Sequence, residues 1–249
     1  MTNQEEKTHF GFESVAWNEK ERKVAQVFHS VAENYDLMND LMSFGIHRLW
    51  KGLTVALSHV RPGHFVLDLA GGSGDLSRLL SKKVGDEGQV ILADINWAML
   101  HVGRDRLFDE GLYKNIQFVQ GNAQCLPFVD NHFHCLTMGF GLRNVTDKAA
   151  ALGEMYRVCK PGGQLMVLEF STPGFGLKSI YDWYSFNILP KLGGIFAADE
   201  ASYKYLAESI RMHPNQKALQ NLIENSGFED CHYHNFSGGI VALHIAYKY

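Results

Sequence analysis

The chain predicts an α/β fold, a wound and mostly parallel sheet with helices on both faces. Two observations carry this. From Phe65 onward, short apolar runs alternate with stretches of helical periodicity, the pattern of a parallel sheet buried on both sides. One of these runs, Val66-Leu67-Asp68-Leu69, leads through Ala70 into Gly71-Gly72-Ser73-Gly74 and then into a helical Asp75-Leu76-Ser77-Arg78. That reads as strand, tight turn and helix start, with glycine where the backbone must turn sharply or admit a ligand closely. The 249 residues, 46% of them hydrophobic, suffice for one α/β domain with additions.

The elements follow in order. Residues 1–22 are polar and expected to be loosely held. Val24, Val27, Phe28, Val31, Ala32 and Tyr35 recur at helical spacing, and a second segment, Asp40 to Trp50, precedes the first strand. These helices lie outside the α/β repeat. They serve as cladding or as a cap that brings Phe28, Tyr35, Met38, Met42 and Phe44 over a ligand. Arg61-Pro62-Gly63 breaks the chain. Strands are predicted over 65–69, 89–94, 116–120, 133–139 and 164–170, with helices over 76–84, 97–108 and 149–158 between them. An aromatic insertion spans 171–213; Pro190 and Gly193-Gly194 prevent it from being one helix. A helix over 214–226 and strands over 231–236 and 240–247 close the chain, with Ser237-Gly238-Gly239 as a hairpin turn. The organisation is one domain, 1–249: an N-terminal helical cap (1–60), a core (61–170), the insertion (171–213) and the closing elements (214–249).

Composition removes several function classes. A net charge of −4 and no basic stripe argue against nucleic acid as a partner. No apolar run has the length of a membrane span, and the polar start lacks the apolar stretch of a signal peptide, so a cytoplasmic location is expected. Cys125, Cys135, Cys159 and Cys231 form no C-x-x-C pair, which suits a reducing compartment. His132-x-His134 and His232-x-His234 share strand faces, but no third ligand is specified and no metal is expected.

The chemistry starts at Asp68. A phosphate-binding turn offers a helix N-terminus to an anion; here an acid precedes the glycines. The G-x-G-x-x-G spacing fails after Gly74, and no Gly-Lys-Ser/Thr is present. The turn suits a ligand with a cationic, hydroxyl-rich character, such as S-adenosylmethionine. In open sheets ligands lie at the C-terminal strand ends, so the polar residues there are collected. They are Ser73 after the first strand, Asp94 ending the second at the place of a ribose acceptor, and Asn122-Ala123 beside a purine edge. Gly139 to Asn144 follow the fourth strand and Glu169 ends the fifth. Asp94 could instead cap the next helix. Arg143 sits either in a surface ion pair or beside the oxygens of a substrate, where it stabilises developing phenolate charge. Three rivals are a methyltransferase for another small acceptor, an NAD-dependent oxidoreductase, and a cofactor-binding subunit without catalysis.

Several blocks carry a family resemblance: His9 to Phe12, Tyr35 to Trp50, Val66 to Leu76, Leu92 to Ile95, Phe140 to Asp147, Tyr156 to Gly163, Leu168 to Ser171, Ser202 to Pro214 and Val241 to His244. With these, nearly the whole chain resembles the class I S-adenosylmethionine-dependent methyltransferases, and within them the ubiquinone/menaquinone biosynthesis C-methyltransferases. The resemblance implies a Rossmann-like sheet of seven strands with the last antiparallel. It implies S-adenosylmethionine as cofactor and a prenylated benzoquinol or naphthoquinol as acceptor. Its cofactor contacts carry over to Ser73, Asp94, Asn122, Ala123 and the position of Gly139, with Gly71 of the turn beside them; the catalytic candidates read from the residues are Arg143 and Asn144, which would hold a water that takes the ring proton. Ser73 replaces a common Thr and keeps the hydroxyl; Gly139 replaces a common Ser and leaves only backbone. Peripheral contact with the inner membrane, a quinone-biosynthesis complex and a homodimer are further expectations.

Overall fold

Valine, leucine and isoleucine at alternating positions give each core strand two apolar faces, and the chain must cover both. A computed structural model describes residues 7–31, 39–40, 43–174, 176–188, 190–191, 194 and 199–249. Its main sheet has seven strands: β3 (Phe65–Leu69), β4 (Gln89–Asp94), β5 (Ile116–Gln120), β6 (Phe133–Gly139), β7 (Cys159–Phe170), β8 (Glu229–Phe236) and β9 (Val241–Tyr247). They lie in the order β5-β4-β3-β6-β7-β9-β8. β3 pairs in parallel with β4 and β6, while β9 runs antiparallel to both β7 and β8. The order reverses between β3 and β6, which opens a crevice at their carboxyl ends.

The strand period of two sorts the core into two layers. Val66, Leu92, Cys135 and Leu168 face one side, covered by α2 (His47–Leu57), α3 (Asp75–Val84) and α7 (Glu200–Met212). Leu67, Leu69, Leu136 and Val167 face the other, covered by α5 (Lys148–Val158) and α8 (Gln216–Asn225). α4 (Trp97–Asp109) follows β4 and is capped by Asn96, whose side chain accepts from the Ala98 and Met99 amides. The remaining helices are α1 (Trp17–Val31) and the short α6 (Lys178–Trp183).

Three local expectations are corrected. Residues 7–16 are no loose tail: β1 (Lys7–Phe10) and β2 (Glu13–Ala16) form an antiparallel hairpin, turned through Gly11 at a φ of +57°, and α1 begins directly at Trp17. Phe10 stacks on Tyr205 of α7 with ring centroids 4.1 Å apart, a partner far away in sequence. β7 begins at Cys159 rather than Gln164: Gly162 takes a φ of +78° and donates to the Lys248 carbonyl, so Pro161-Gly162-Gly163 is drawn into the first part of the strand. α8 starts at Gln216, because Asn215, not Pro214, accepts the Ala218 amide as its cap. In the insertion, α6 passes into a π-helical turn over Tyr184–Ile188. Tyr35, Met38, Met42, Phe175, Leu189, Gly193 and Phe196 lie outside the described residues. Among the described residues no helix is long and apolar enough to cross a membrane, and no group of three His, Cys, Asp or Glu could hold a metal ion.

Candidate functional site

The crevice holds two adjoining cavities that share Ala70 as a wall. The larger, of about 140 Å³, opens between the ends of β3, β4 and β6 and helix α1; Phe28, Asp94, Met99, Asn122, Ala123 and Asn144 are among its lining. The smaller, of only about 10 Å³, adjoins the glycine turn and is lined by Lys51, Asp68, Gly71, Ser73, Asp75 and Gly139, with Ala70 and Leu76.

The strand ends supply the acids. Asp94 is buried, and its two oxygens accept from the Gly72 amide at 3.0 Å and the Asn96 amide at 2.8 Å. It therefore ties the glycine turn to β4, and the helix cap is Asn96, not Asp94. Burial pushes its carboxyl up to about 6, against the pull of the Asn96 and Gly72 N–H donors. Asp68 is more deeply enclosed; the Ser77 hydroxyl donates to it at 2.7 Å and that of Thr137 at 2.8 Å. Burial raises it likewise to about 6. Asp75 differs. Burial would raise it, but Lys51 at 2.7 Å and Arg106 at 3.0 Å hold it down at about 2.

The turn is conformationally demanding. Gly72 and Gly74 have φ of +51° and +83°, and Ala70 and Phe140, the residues that follow β3 and β6, take +51° and +59°. Left-handed non-glycine residues cost on the order of 1 kcal/mol or more, and both line the larger cavity. At Gly139 an added Cβ would meet only the end of Leu76, Cδ1 at 2.9 Å, so a small side chain fits there once that leucine shifts.

The predicted cofactor residues divide between the two cavities: Asp94, Asn122 and Ala123 line the larger, Gly71, Ser73 and Gly139 the smaller. Asn122 is braced by the Gln124 amide, which donates to its Oδ1 at 2.9 Å; the Gln124 side chain reaches Glu21 of α1. The lining fits S-adenosylmethionine. The larger cavity offers the carboxylates of Glu21 and Asp94, several carboxamides and apolar walls, with no Lys or Arg among its described residues, and the smaller holds charge of both signs.

The predicted catalytic pair separates. Asn144 lines the larger cavity, its Oδ1 accepting from the Tyr205 hydroxyl at 2.9 Å. Arg143 is at neither the surface nor these two cavities. It is buried, with Nη1 donating to Glu169 Oε1 at 2.8 Å and to the Phe140 carbonyl at 2.5 Å, and its guanidinium lies 5.4 Å from the Phe170 ring centroid. Glu169 also accepts from the Arg143 and Phe170 amides, so the 3-10 turn Leu142–Asn144 is clamped to the end of β7. Sequence reading missed Lys51, Thr137, Ser77 and Tyr205 here. Lys51 follows the Tyr35 to Trp50 block by one residue; the other three carry no spacing signal.

The model of the ubiE/COQ5 methyltransferase family matches residues 16–248. A Legionella pneumophila (strain Lens) protein named ubiquinone/menaquinone biosynthesis C-methyltransferase UbiE is 79% identical, over 100% of both chains. One of the same name from Haemophilus ducreyi is 61% identical over 98% of this chain and 95% of its own. A solved SAM-dependent methyltransferase from Aquifex aeolicus superposes with a TM-score of 0.63 at 19% identity, covering 87% of this chain and 96% of that one; at that identity it supports the fold.

Proposed function

The chain belongs to the ubiE/COQ5 methyltransferase family and uses S-adenosylmethionine, and from that premise we propose that it methylates a ring carbon of a prenylated demethylquinol. The acceptor is a 2-polyprenyl-6-methoxy-benzoquinol, demethylmenaquinol or both. The observation that carries this reading is the larger cavity itself: its lining brings Asp94, Asn122 and Asn144 together with Phe28 and Phe140, polar groups suited to a nucleoside in one space with aromatic walls suited to a ring.

Bound S-adenosylmethionine supplies an electrophilic methyl on a sulfonium. The chain's residues do the rest. Asp94 accepts from ribose hydroxyls while Asn122 and Ala123 meet the adenine edge. Phe28 and Phe140 exclude water, which favours a step in which a cation and a phenolate neutralise each other. The ring must be the electron-rich quinol, since a quinone carbon is no nucleophile. Asn144, oriented by Tyr205, holds the acceptor hydroxyl or a water that takes the ring proton on rearomatisation. Arg143, fixed by Glu169, positions that turn and with it Asn144; always protonated, it is not the resting base.

The acceptor's tail suits a bilayer, and exposed Phe44, Leu49 and Trp183 support peripheral contact with a membrane surface. The test of function is labelled methyl transfer from S-adenosylmethionine to both demethylquinols, with and without a reductant. Label is expected on reduced rings only; equal labelling of the oxidised rings overturns the mechanism, and no labelling of either overturns the acceptor class.

A further inference from the structure

Helix α1 lies outside the sheet yet lines the larger cavity with Glu21, Val24, Ala25 and Phe28, and the way it is held there is specific. Three polar contacts among the described residues tie it to the rim. Each ends one or two residues past a position already placed in the site. The Asn96 side chain, two residues after Asp94, donates to the Ala25 carbonyl at 3.2 Å. The Gln124 side chain, two residues after Asn122, donates to Glu21 Oε1 at 3.1 Å. The Lys20 ammonium donates to the carbonyl of Val145, the residue after Asn144, at 3.3 Å.

Gln124 is the most fully engaged of these. Its Oε1 accepts the Asp147 amide at 2.8 Å, and Asp147 caps α5. Its Nε2 donates to Glu21 and, at 3.2 Å, to Asn122 Oδ1. That oxygen also takes the Gln124 backbone amide at 2.9 Å. With Oδ1 turned towards two donors, the group Asn122 has to offer a ligand is its NH2. A ligand that accepts from it makes Oδ1 a better acceptor, which fixes Gln124 more firmly, and with it Glu21.

We propose that Gln124 is a positioning residue that carries occupancy of the nucleoside end from Asn122, through Glu21, to helix α1, so that the cofactor docks the cap and sets Phe28 over the space for the acceptor ring. That role presupposes the cofactor and acceptor reading above and deepens it. Gln124 acts through Asn122 and Glu21, not on the reacting atoms. The cofactor then binds before the acceptor, whose site is complete only once α1 is docked.

The test is hydrogen–deuterium exchange of the amides of residues 21–28, without ligand and at saturating S-adenosylhomocysteine. In wild-type protein the ligand is expected to slow exchange there about tenfold, the low end for a hydrogen bond to a charged group. Gln124→Met keeps the bulk and removes the side chain's hydrogen bonds; it should leave less than about twofold slowing, and should raise the KM for demethylquinol more than it lowers kcat. Glu21→Leu, at an exposed position, should reproduce both effects and keeps the question answerable if Gln124→Met does not fold. Glu21→Gln, which retains an accepting oxygen, should restore most of the slowing. Combining Glu21→Leu with Gln124→Met should be no worse than either alone, as for two residues on one link. Full slowing in either single variant, or additive losses in the double one, overturns the assignment and leaves Gln124 a purely structural residue. Wild-type protein that binds S-adenosylhomocysteine without slowing at α1 overturns this inference alone; wild-type protein that does not bind it overturns the cofactor reading as well.

Discussion

Two buried ion pairs meet at Phe140, and they are built for opposite purposes. Arg143–Glu169 is sealed, with each side chain 1% exposed. Its guanidinium also takes the Phe140 carbonyl, and its carboxylate is spent on two backbone amides. Lys51–Asp75 opens on a cavity, its ammonium lies over the Phe140 ring, and its carboxylate is shared with Arg106. The sealed pair has every strong acceptor bound within the fold and so fixes shape. The open pair has a partner to spare and so is the less tightly fixed of the two. Charge at a site is available to chemistry only where the fold leaves it an alternative.

Removing Arg143 is the strongest way to break this contrast. Arg143→Ala leaves Glu169 buried without its counter-charge, and the loss of stability should be about 3–5 kcal/mol, read from urea midpoints. Turnover should fall while S-adenosylhomocysteine affinity stays. The double variant Arg143→Met with Glu169→Leu should recover much of the stability and none of the turnover; recovery of turnover would make the pair purely structural. Lys51→Met should cost less, about 1–3 kcal/mol, because Asp75 keeps Arg106; a cost equal to that of Arg143→Ala would erase the difference between the pairs.

Titration sharpens the comparison. Asp68 is raised from 3.8 to about 6, so the folded state holds its proton where the unfolded state has released it. Its contribution favours the fold below about pH 4 and is lost as pH rises towards 6. Asp75 has the opposite sign: held near 2, it stabilises above about pH 4 and loses that as pH falls towards 2. Asp68→Asn should therefore gain stability relative to the parent between pH 4 and 6, by at most about 3 kcal/mol, and the deficit of Asp75→Asn should close between pH 4 and 2. Denaturation at a series of pH values reads both. Asp94, also near 6, should make S-adenosylhomocysteine affinity rise through pH 6 by roughly tenfold, and Asp94→Asn should flatten that profile. The smallest expected effect is at Gly139→Ala. The new Cβ meets only the end of Leu76, so stability should change by about 1 kcal/mol or less, with cofactor affinity within about twofold.

The cofactor half was legible because its signals are local. Asp68, Asp94 and Asn122 each lie at or near the end of a short apolar run, and the sheet brings such ends together whatever else the chain does. The other half depends on contacts across the chain. Nothing near Phe10 indicates that it will stack on Tyr205, so residues 7–16 read as a tail. Nothing near Arg143 reveals that its counter-charge is Glu169, so a surface pair and a substrate contact were both open. Lys51 reads as one polar residue on an amphipathic helix until α2 is packed beside α3 and its Asp75.

The strand order carries one more lesson, for how the molecule is made. β9 comes last in this sequence yet lies inside the sheet, between β7 and β8. On the ribosome, β8 emerges with no neighbour to receive it, and β7 waits with a bare edge until Val241–Tyr247 clears the exit tunnel. A nascent chain stalled before Val241 displays the open apolar edge of β7 and an unpaired, polar β8, the kind of surface that chaperones hold and proteases clear.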